Sequence, residues 1–355
     1  MMNTVLMLLA ACYLVVVMLF WRNKAQLSKP VDYAIGLALW PLLLLSTVLS
    51  KEVDAVYLHI AAYICFGVIP LILALQYKVV TAQILQYPAK NNKIWFPALI
   101  VWVSFVSLFA VPPEMLPTLL QAPSAGQLLT NWPVYLIHLA TGFAVLLLSV
   151  AASEQVQRYH HYLTDQVVDP PEHRIRKMQH GLAFVVASAL LSVTLVVVNA
   201  FAILEIQQWS LLNSILFMVA LLVLLTVVVL PHHSIPSPLD YNLLENGRKS
   251  KAVLQQTIEQ THQAIIEYKL YKKVGLTIAE VAELAKVDPT TLAKATREIN
   301  QQKFRRFIYE YRLDYAKKVL LRSDTNIADV AKRLGLNSKI FLDEVLVEHL
   351  RNFKS

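Results

Sequence analysis

Seven stretches of this chain are apolar and long enough to sit in a bilayer, and that restricts its first two thirds to bundled helices. They run over about 4–21, 31–50, 55–77, 94–112, 132–151, 181–204 and 209–230. About twenty residues at 1.5 Å per residue cross roughly 30 Å of hydrocarbon, where the backbone must satisfy its own polar groups. Composition agrees: of 355 residues, 56% are hydrophobic and only 16% charged, too apolar for a soluble globular chain. The first run has no basic region before it and no small-residue cleavage site after it, so it reads as a retained helix. Cys12 and Cys65 lie inside apolar runs and imply no disulfide framework.

The connecting segments set the orientation. Segments 22–30, 78–93 and 152–180 carry Arg22, Lys24, Lys29, Lys78, Lys90, Lys93, Arg158, Arg174, Arg176 and Lys177. The alternating segments 51–54, 113–131 and 205–208 carry only Lys51. Cationic loops stay cytoplasmic. The N-terminus is therefore expected outside an inner (cytoplasmic) membrane, with everything after Pro231 in the cytoplasm. An even number of spans would break this alternation, so the expectation is seven.

The bundle itself says little about chemistry. No Asp, Glu, Lys or Arg lies near the centre of a run, which argues against an ion-coupled pump and leaves a channel or a carrier of neutral solutes open. The last run has no lysine, so it cannot hold a retinal Schiff base. His59 and His138 are the only histidines within runs; on different helices and without diagnostic spacing, they read as hydrogen-bonded bundle residues rather than haem or metal ligands. His160-His161 and His232-His233 have no Cys or second ligand cluster nearby and read as interfacial. Most tryptophans fall near run ends, as headgroup anchors do. No cofactor is implied. The loop 113–131, with three prolines, reads as a connector.

After residue 231 the chain changes character. Met1–Pro231 holds 11 Lys and Arg against 9 Asp and Glu, whereas the remainder holds 21 against 15. Residues 232–250, rich in Pro, Ser and Asn, read as a flexible linker. Residues 251–273 read as a connecting or dimerisation helix, because Leu254, Ile258, Thr261, Ile265 and Tyr268 form one stripe. The stripe suits either a homodimer seam or packing against its own domain, and its short length favours the latter.

Residues 274–355 hold two similar patterns about fifty residues apart. In the first, Thr277 and Glu280 form a capping box that opens a helix, and a turn at Lys286-Val287 leads to Asp288 as N-cap and Pro289 at the first helical position. In the second, Asn326 caps a helix with Val330, Ala331 and Leu334 inward, Gly335 makes the turn, and Ser338 caps a helix carrying Phe341 and Leu342. Each is helix, tight turn, helix, the unit whose second helix fits a DNA major groove. Between them, residues 303–323 read as one rod with a basic face: Lys303, Arg305, Arg306, Arg312, Lys317, Lys318 and Arg322. Beside two helix-turn-helix patterns, Lys303, Arg305, Arg306, Lys317 and Arg322 are candidates for phosphate contact. Thr290, Lys294 and Arg297 share one face of the first recognition helix and are candidates to reach bases; in the second, Lys339 is the candidate. The expected partner is double-stranded DNA.

Residues 276–346 resemble the paired helix-turn-helix domain of AraC/XylS transcriptional regulators. The matching residues are Leu276, Ala282, Pro289 and Leu292; Phe304, Arg312, Leu313, Ala316 and Leu320; and Ile327, Val330, Ala331 and Gly335. The resemblance implies an all-α chain: a seven-helix transmembrane bundle sensing an unknown signal, followed by a cytoplasmic double helix-turn-helix domain binding promoter DNA. Lys286 and Gln301 stand where the family usually places glycine, Thr296 fills a usual large apolar position, and Asp343 and Glu344 put acids on the second recognition helix. Those acids keep a second reading open, a membrane receptor or scaffold whose degenerate domain binds a protein. Docking of the basic tail on anionic lipid is a third. No nucleophile–base pair, phosphate loop or metal-ligand spacing points to an enzyme.

Overall fold

A computed structural model describes residues 2–52, 56–85, 92–112, 114–121, 125–206, 208–232, 235, 238–322, 330 and 334. The described residues are helical, with a single isolated β-bridge between Val167 and Thr277. Two compact units form: one from Met1–Gln157 with Ile175–His232, the other from Arg158–Arg174 with His233–Ser355.

The first unit contains α1 (Met2–Asn23), α2 (Pro30–Leu39), α3 (Pro41–Glu52), α4 (Val56–Phe66), α5 (Val68–Ile84), α6 (Phe96–Ser104), α7 (Leu116–Gln121), most of α8 (Leu128–Tyr162), α9 (Arg176–Ala200) and α10 (Trp209–Val229). Six helical stretches among the described residues are long and apolar enough to cross a membrane: Thr4–Gln26, Tyr63–Ile84, Asn92–Ala110, Leu128–Asp165, Arg176–Ala200 and Trp209–Val229. The run expected at 31–50 is instead two shorter helices, α2 and α3, that meet at Trp40-Pro41. Pro41 has no N–H to donate and its ring crowds the preceding turn, so the helix is interrupted there. The run expected at 55–77 also divides, at Gly67, between α4 and α5. A Cβ there would lie 2.7 Å from the Phe105 ring, so only glycine admits that close approach.

Polar side chains tie this unit together through backbone oxygens of α10. Asn23 donates to Val229 O at 3.1 Å, Tyr33 to Leu225 O at 2.8 Å and Trp40 Nε1 to Met218 O at 3.2 Å. As the chain ascends through α1 and α2, the acceptors descend α10, so α2 runs antiparallel to it. Tyr13 stacks on Trp40 at 5.0 Å, so a second aromatic face steadies the corner before Pro41.

The second unit contains the end of α8 from Arg158, then α11 (Tyr241–Asn246), α12 (Lys251–Glu267), α13 (Ile278–Ala285), α14 (Pro289–Glu298) and α15 (Phe304–Arg322). At 1.5 Å per residue, the 35 residues of α8 extend about 52 Å, well beyond a bilayer core. Residues 232–250 are not a free tether: Ile235, Leu239, Tyr241 and Leu244 are buried, and Asp240 caps α11 by accepting from Asn242 and Leu243 N–H. Turn-forming composition fixed the loop conformation but concealed four anchoring apolar side chains. The stripe on α12 faces inward through Leu254, Thr257, Thr261, Ala264 and Ile265, while Tyr268 stays exposed.

Helices α13 and α14, joined by a short turn, form from their caps. Thr277 accepts from Glu280 N–H while the Glu280 carboxylate accepts from Thr277 N–H, and Asp288 accepts from Thr291 N–H at 2.8 Å. Lys286, in the turn between α13 and α14, takes left-handed φ 55°, and Gln301, before α15, takes φ 54°. Left-handed backbone costs a side-chain-bearing residue about 1–2 kcal/mol, and glycine's larger unfolded-state entropy returns about 0.5–1 kcal/mol of any gain. Lys286→Gly should therefore stabilise this unit by roughly 0.5–1 kcal/mol, seen as stronger hydrogen-exchange protection of α13 and α14 amides. Equal or weaker protection would show that Lys286 is not strained.

Candidate nucleic-acid interface and its cover

The helix expected to read bases, α14 in the second unit, is packed on nearly every side. Thr291, Leu292, Ala293, Lys294, Ala295 and Thr296 are all buried. Thr296 meets its burial by donating to Ala293 O at 2.9 Å, which lets a threonine occupy an apolar position.

The three residues expected to face bases share a face, as their spacing implies, but two of them have protein partners. Lys294 is 8% exposed; its ammonium donates to Gly247 O and lies 3.3 Å from the Glu298 carboxylate. Arg297 makes a two-pronged contact with Asp165, Nε to Oδ1 at 2.9 Å and Nη2 to Oδ2 at 2.7 Å. Its guanidinium also lies over the Tyr162 ring, 5.0 Å from the centroid. Asp165 is fully buried, and the hydrogen bond to it is the main reason that the Arg297 pKa rises above its ordinary value. Thr290 is half-buried.

The segment that supplies Asp165 is stitched into the same unit. Val168 N–H donates to Leu276 O at 3.1 Å, Ile278 N–H to Gln166 O at 2.7 Å, and Gly275 N–H to Asp169 Oδ2 at 3.1 Å. Buried Gln166 donates to the Tyr241 hydroxyl at 3.0 Å and accepts from Leu239 N–H at 2.9 Å. Tyr162 stacks on Tyr241 at 4.7 Å, and its hydroxyl donates to Glu245, which also pairs with Arg158 at 2.9 Å. Burial pushes the Tyr241 pKa up, so its phenol stays protonated. Residues 158–169 and α11 thus form a polar and aromatic cover over the Lys294–Arg297 face.

The phosphate candidates divide. Lys303 and Arg306 are exposed, and Arg305 is half-buried with its guanidinium over Tyr309 at 5.9 Å. Arg312, expected on the basic face, is instead fully buried: Nε donates to Tyr271 O at 3.0 Å and Nη2 to Lys273 O at 2.8 Å, with Asp169 at 3.8 Å. Desolvation lowers its pKa. Helical facing could not separate it from the exposed cations, because its acceptors are carbonyls more than thirty-five residues upstream.

Lys339 and the acids Asp343 and Glu344 lie outside the described residues, as do the side chains of Lys317 and Arg322. Of the residues expected to form a second helix-turn-helix, only Val330 and Leu334 are described; both are fully buried, and Leu334 N–H donates to Val330 O at 3.1 Å.

In the first unit, His138 is 1% exposed and its Nδ1 lies 2.8 Å from Asn213 Nδ2; the His59 side chain lies outside the described residues. Among the described residues no group of three or more His, Cys, Asp or Glu could hold a metal ion. Sequence reasoning missed Asp165, Tyr162 and Gln166, which looked like residues of an ordinary cationic loop, and Glu245, which lay in the expected linker. Asp165 is one of four acids in 152–180, with Glu154, Asp169 and Glu172, so nothing local singled it out. Comparison with protein-family models, curated proteins and solved structures finds no match to this chain.

Proposed function

We propose that this chain is a membrane-anchored one-component transcriptional regulator. A seven-span bundle with its N-terminus outside senses a signal, and a cytoplasmic pair of helix-turn-helix units binds promoter DNA. The observation that carries the reading is the local build of α13–α14: a capping box, an Asp-Pro start and a left-handed turn residue at Lys286. Both positions where the AraC/XylS pattern prefers glycine, Lys286 and Gln301, have the backbone that glycine suits best. Seven spans are supported by α2 and α3, whose 10 and 12 residues sum to about 33 Å of helix, enough for one broken span.

In this reading the described state is closed. Arg297 and Lys294, the side chains suited to guanine edges or phosphates, are held by Asp165 and Gly247 O, and DNA binding requires their release. Signal binding shifts the population toward the open form. The specific test is Lys294→Ala with Arg297→Ala in the full chain in nanodiscs. Sequence preference should fall by about tenfold or more, one bidentate base contact being worth about 1–3 kcal/mol. Unchanged preference would remove both residues from the interface.

The cover over α14 also favours a second reading, in which the domain has become a protein-binding scaffold and its recognition helix is permanently packed. The two readings part on whether any sequence motif is enriched once the cover is loosened.

A further inference from the structure

Among the buried polar atoms of the first unit without a hydrogen-bond partner are His138 Nε2, Asn213 Oδ1 and the Tyr63 hydroxyl, which belong to three side chains in contact around the imidazole. The three residues come from α8, α10 and α4. His138 and Asn213 bond each other at 2.8 Å, and the Tyr63 ring lies edge-on to the imidazole at 5.6 Å. Phe66 at 4.7 Å and Trp209 at 5.0 Å complete the ring contacts around His138. Phe105 closes on Tyr63 at 6.3 Å, the approach that Gly67 permits.

The chemistry of this cluster is constrained. If the Asn213 amide nitrogen donates to Nδ1, the free groups are an Nε2–H donor and the Oδ1 acceptor. If the amide is reversed, they are an amide N–H donor and an Nε2 lone pair. Either assignment leaves one donor and one acceptor unused, with the Tyr63 hydroxyl able to serve as either. Leaving such groups unpaired costs about 1–3 kcal/mol each, so a structure that retains them gains by meeting a partner. The described rings around the imidazole offer aromatic faces and edges and no countercharge, so a charged guest would lose its hydration without compensation.

We infer that His138, Asn213 and Tyr63 form the binding site for a small, uncharged aromatic ligand bearing both a hydrogen-bond donor and an acceptor, in the manner of a phenol or an azole. This rests on the sensor reading above and names its signal class. A lipid-permeable molecule of this kind reaches the site from the bilayer, so no aqueous entrance is needed.

The test uses the full chain in nanodiscs without DNA, so its outcome is independent of whether the cytoplasmic unit reads a promoter. Binding of 4-fluorophenol and 5-fluoroindole is followed by fluorine NMR against empty nanodiscs, with 4-fluorobenzoate as the charged control. Saturable binding of either uncharged probe and none of benzoate is expected. His138→Phe and Asn213→Leu should each weaken it about tenfold or more, and Ser149→Ala should not. Because the first two substitutions alter a packed bundle, the wild-type chain labelled with nitrogen-15 histidine gives a second readout: one imidazole resonance should move on probe binding. Binding of neither uncharged probe, equal binding of benzoate, survival through both substitutions, or unmoved imidazole resonances would each overturn the site and leave interior water as the partner of these atoms.

Discussion

Asp165→Asn should raise the DNA affinity of the full chain by about tenfold to a hundredfold. The carboxylate is fully buried and takes both prongs of the Arg297 guanidinium. Replacing the carboxylate by a neutral amide costs the closed state about 1.5–3 kcal/mol, the worth of hydrogen bonds between charged groups. The open state, with Arg297 free for DNA, loses nothing from the same substitution. When a binding-competent form is minor, apparent affinity scales with its population, so the whole difference appears as tighter binding. Tyr162→Ala should act in the same direction but more weakly, since it removes a cation–π contact worth about 0.5–2 kcal/mol. Titration of fluorescent duplex against both variants at one fixed salt concentration measures the effect. Equal or weaker binding by Asp165→Asn would show that the contact with Arg297 does not compete with DNA.

Arg312→Met should cost the second unit about 3–4 kcal/mol. The side chain is fully buried, and it serves Tyr271 O and Lys273 O in the turn that leads into α13. Methionine restores the volume but leaves two carbonyls without their donor and takes the countercharge away from the Asp169 carboxylate, which keeps its bond from Gly275 N–H. A lysine would keep the charge yet could not reproduce the planar fork. The expected readout is a loss of about two to three orders of magnitude in hydrogen-exchange protection of α13 and α14 amides, with bundle amides unchanged. Unchanged protection in α13 and α14 would contradict a structural role for Arg312.

These two arginines also show what could be read in the sequence. Hydropathy located the membrane-capable helices because length and apolarity are properties of a segment by itself. It did not locate the break at Trp40-Pro41, where an aromatic stack and a bond to Met218 O hold the corner. Cap chemistry placed α13 and α14 because Thr277, Glu280, Asp288 and Pro289 act within a few residues of themselves. The face of α14 was legible too; what covers that face was not. Asp165 lies 132 residues before Arg297, and no local rule pairs a carboxylate in one loop with a guanidinium that far away. Composition likewise marked 232–250 as turn-forming, but could not show that Tyr241–Asn246 forms a capped helix or that Ile235, Leu239, Tyr241 and Leu244 are buried. His138 was read as a satisfied bundle histidine; it is half satisfied, by Asn213, and its other nitrogen is the starting point of the ligand-site proposal.

The most direct measurement is a selection from randomised duplex DNA by the full chain in nanodiscs, run in parallel for the wild type and Asp165→Asn, from low to physiological salt. The chain must be whole, because 158–174 belongs to the same compact unit as the recognition helix. A sequence-specific regulator predicts one enriched motif for both, recovered more strongly by Asp165→Asn and still outcompeting bulk DNA at physiological salt. Binding without enrichment in either chain, lost steeply as salt rises, would reduce the interaction to counterion release and contradict sequence-specific regulation.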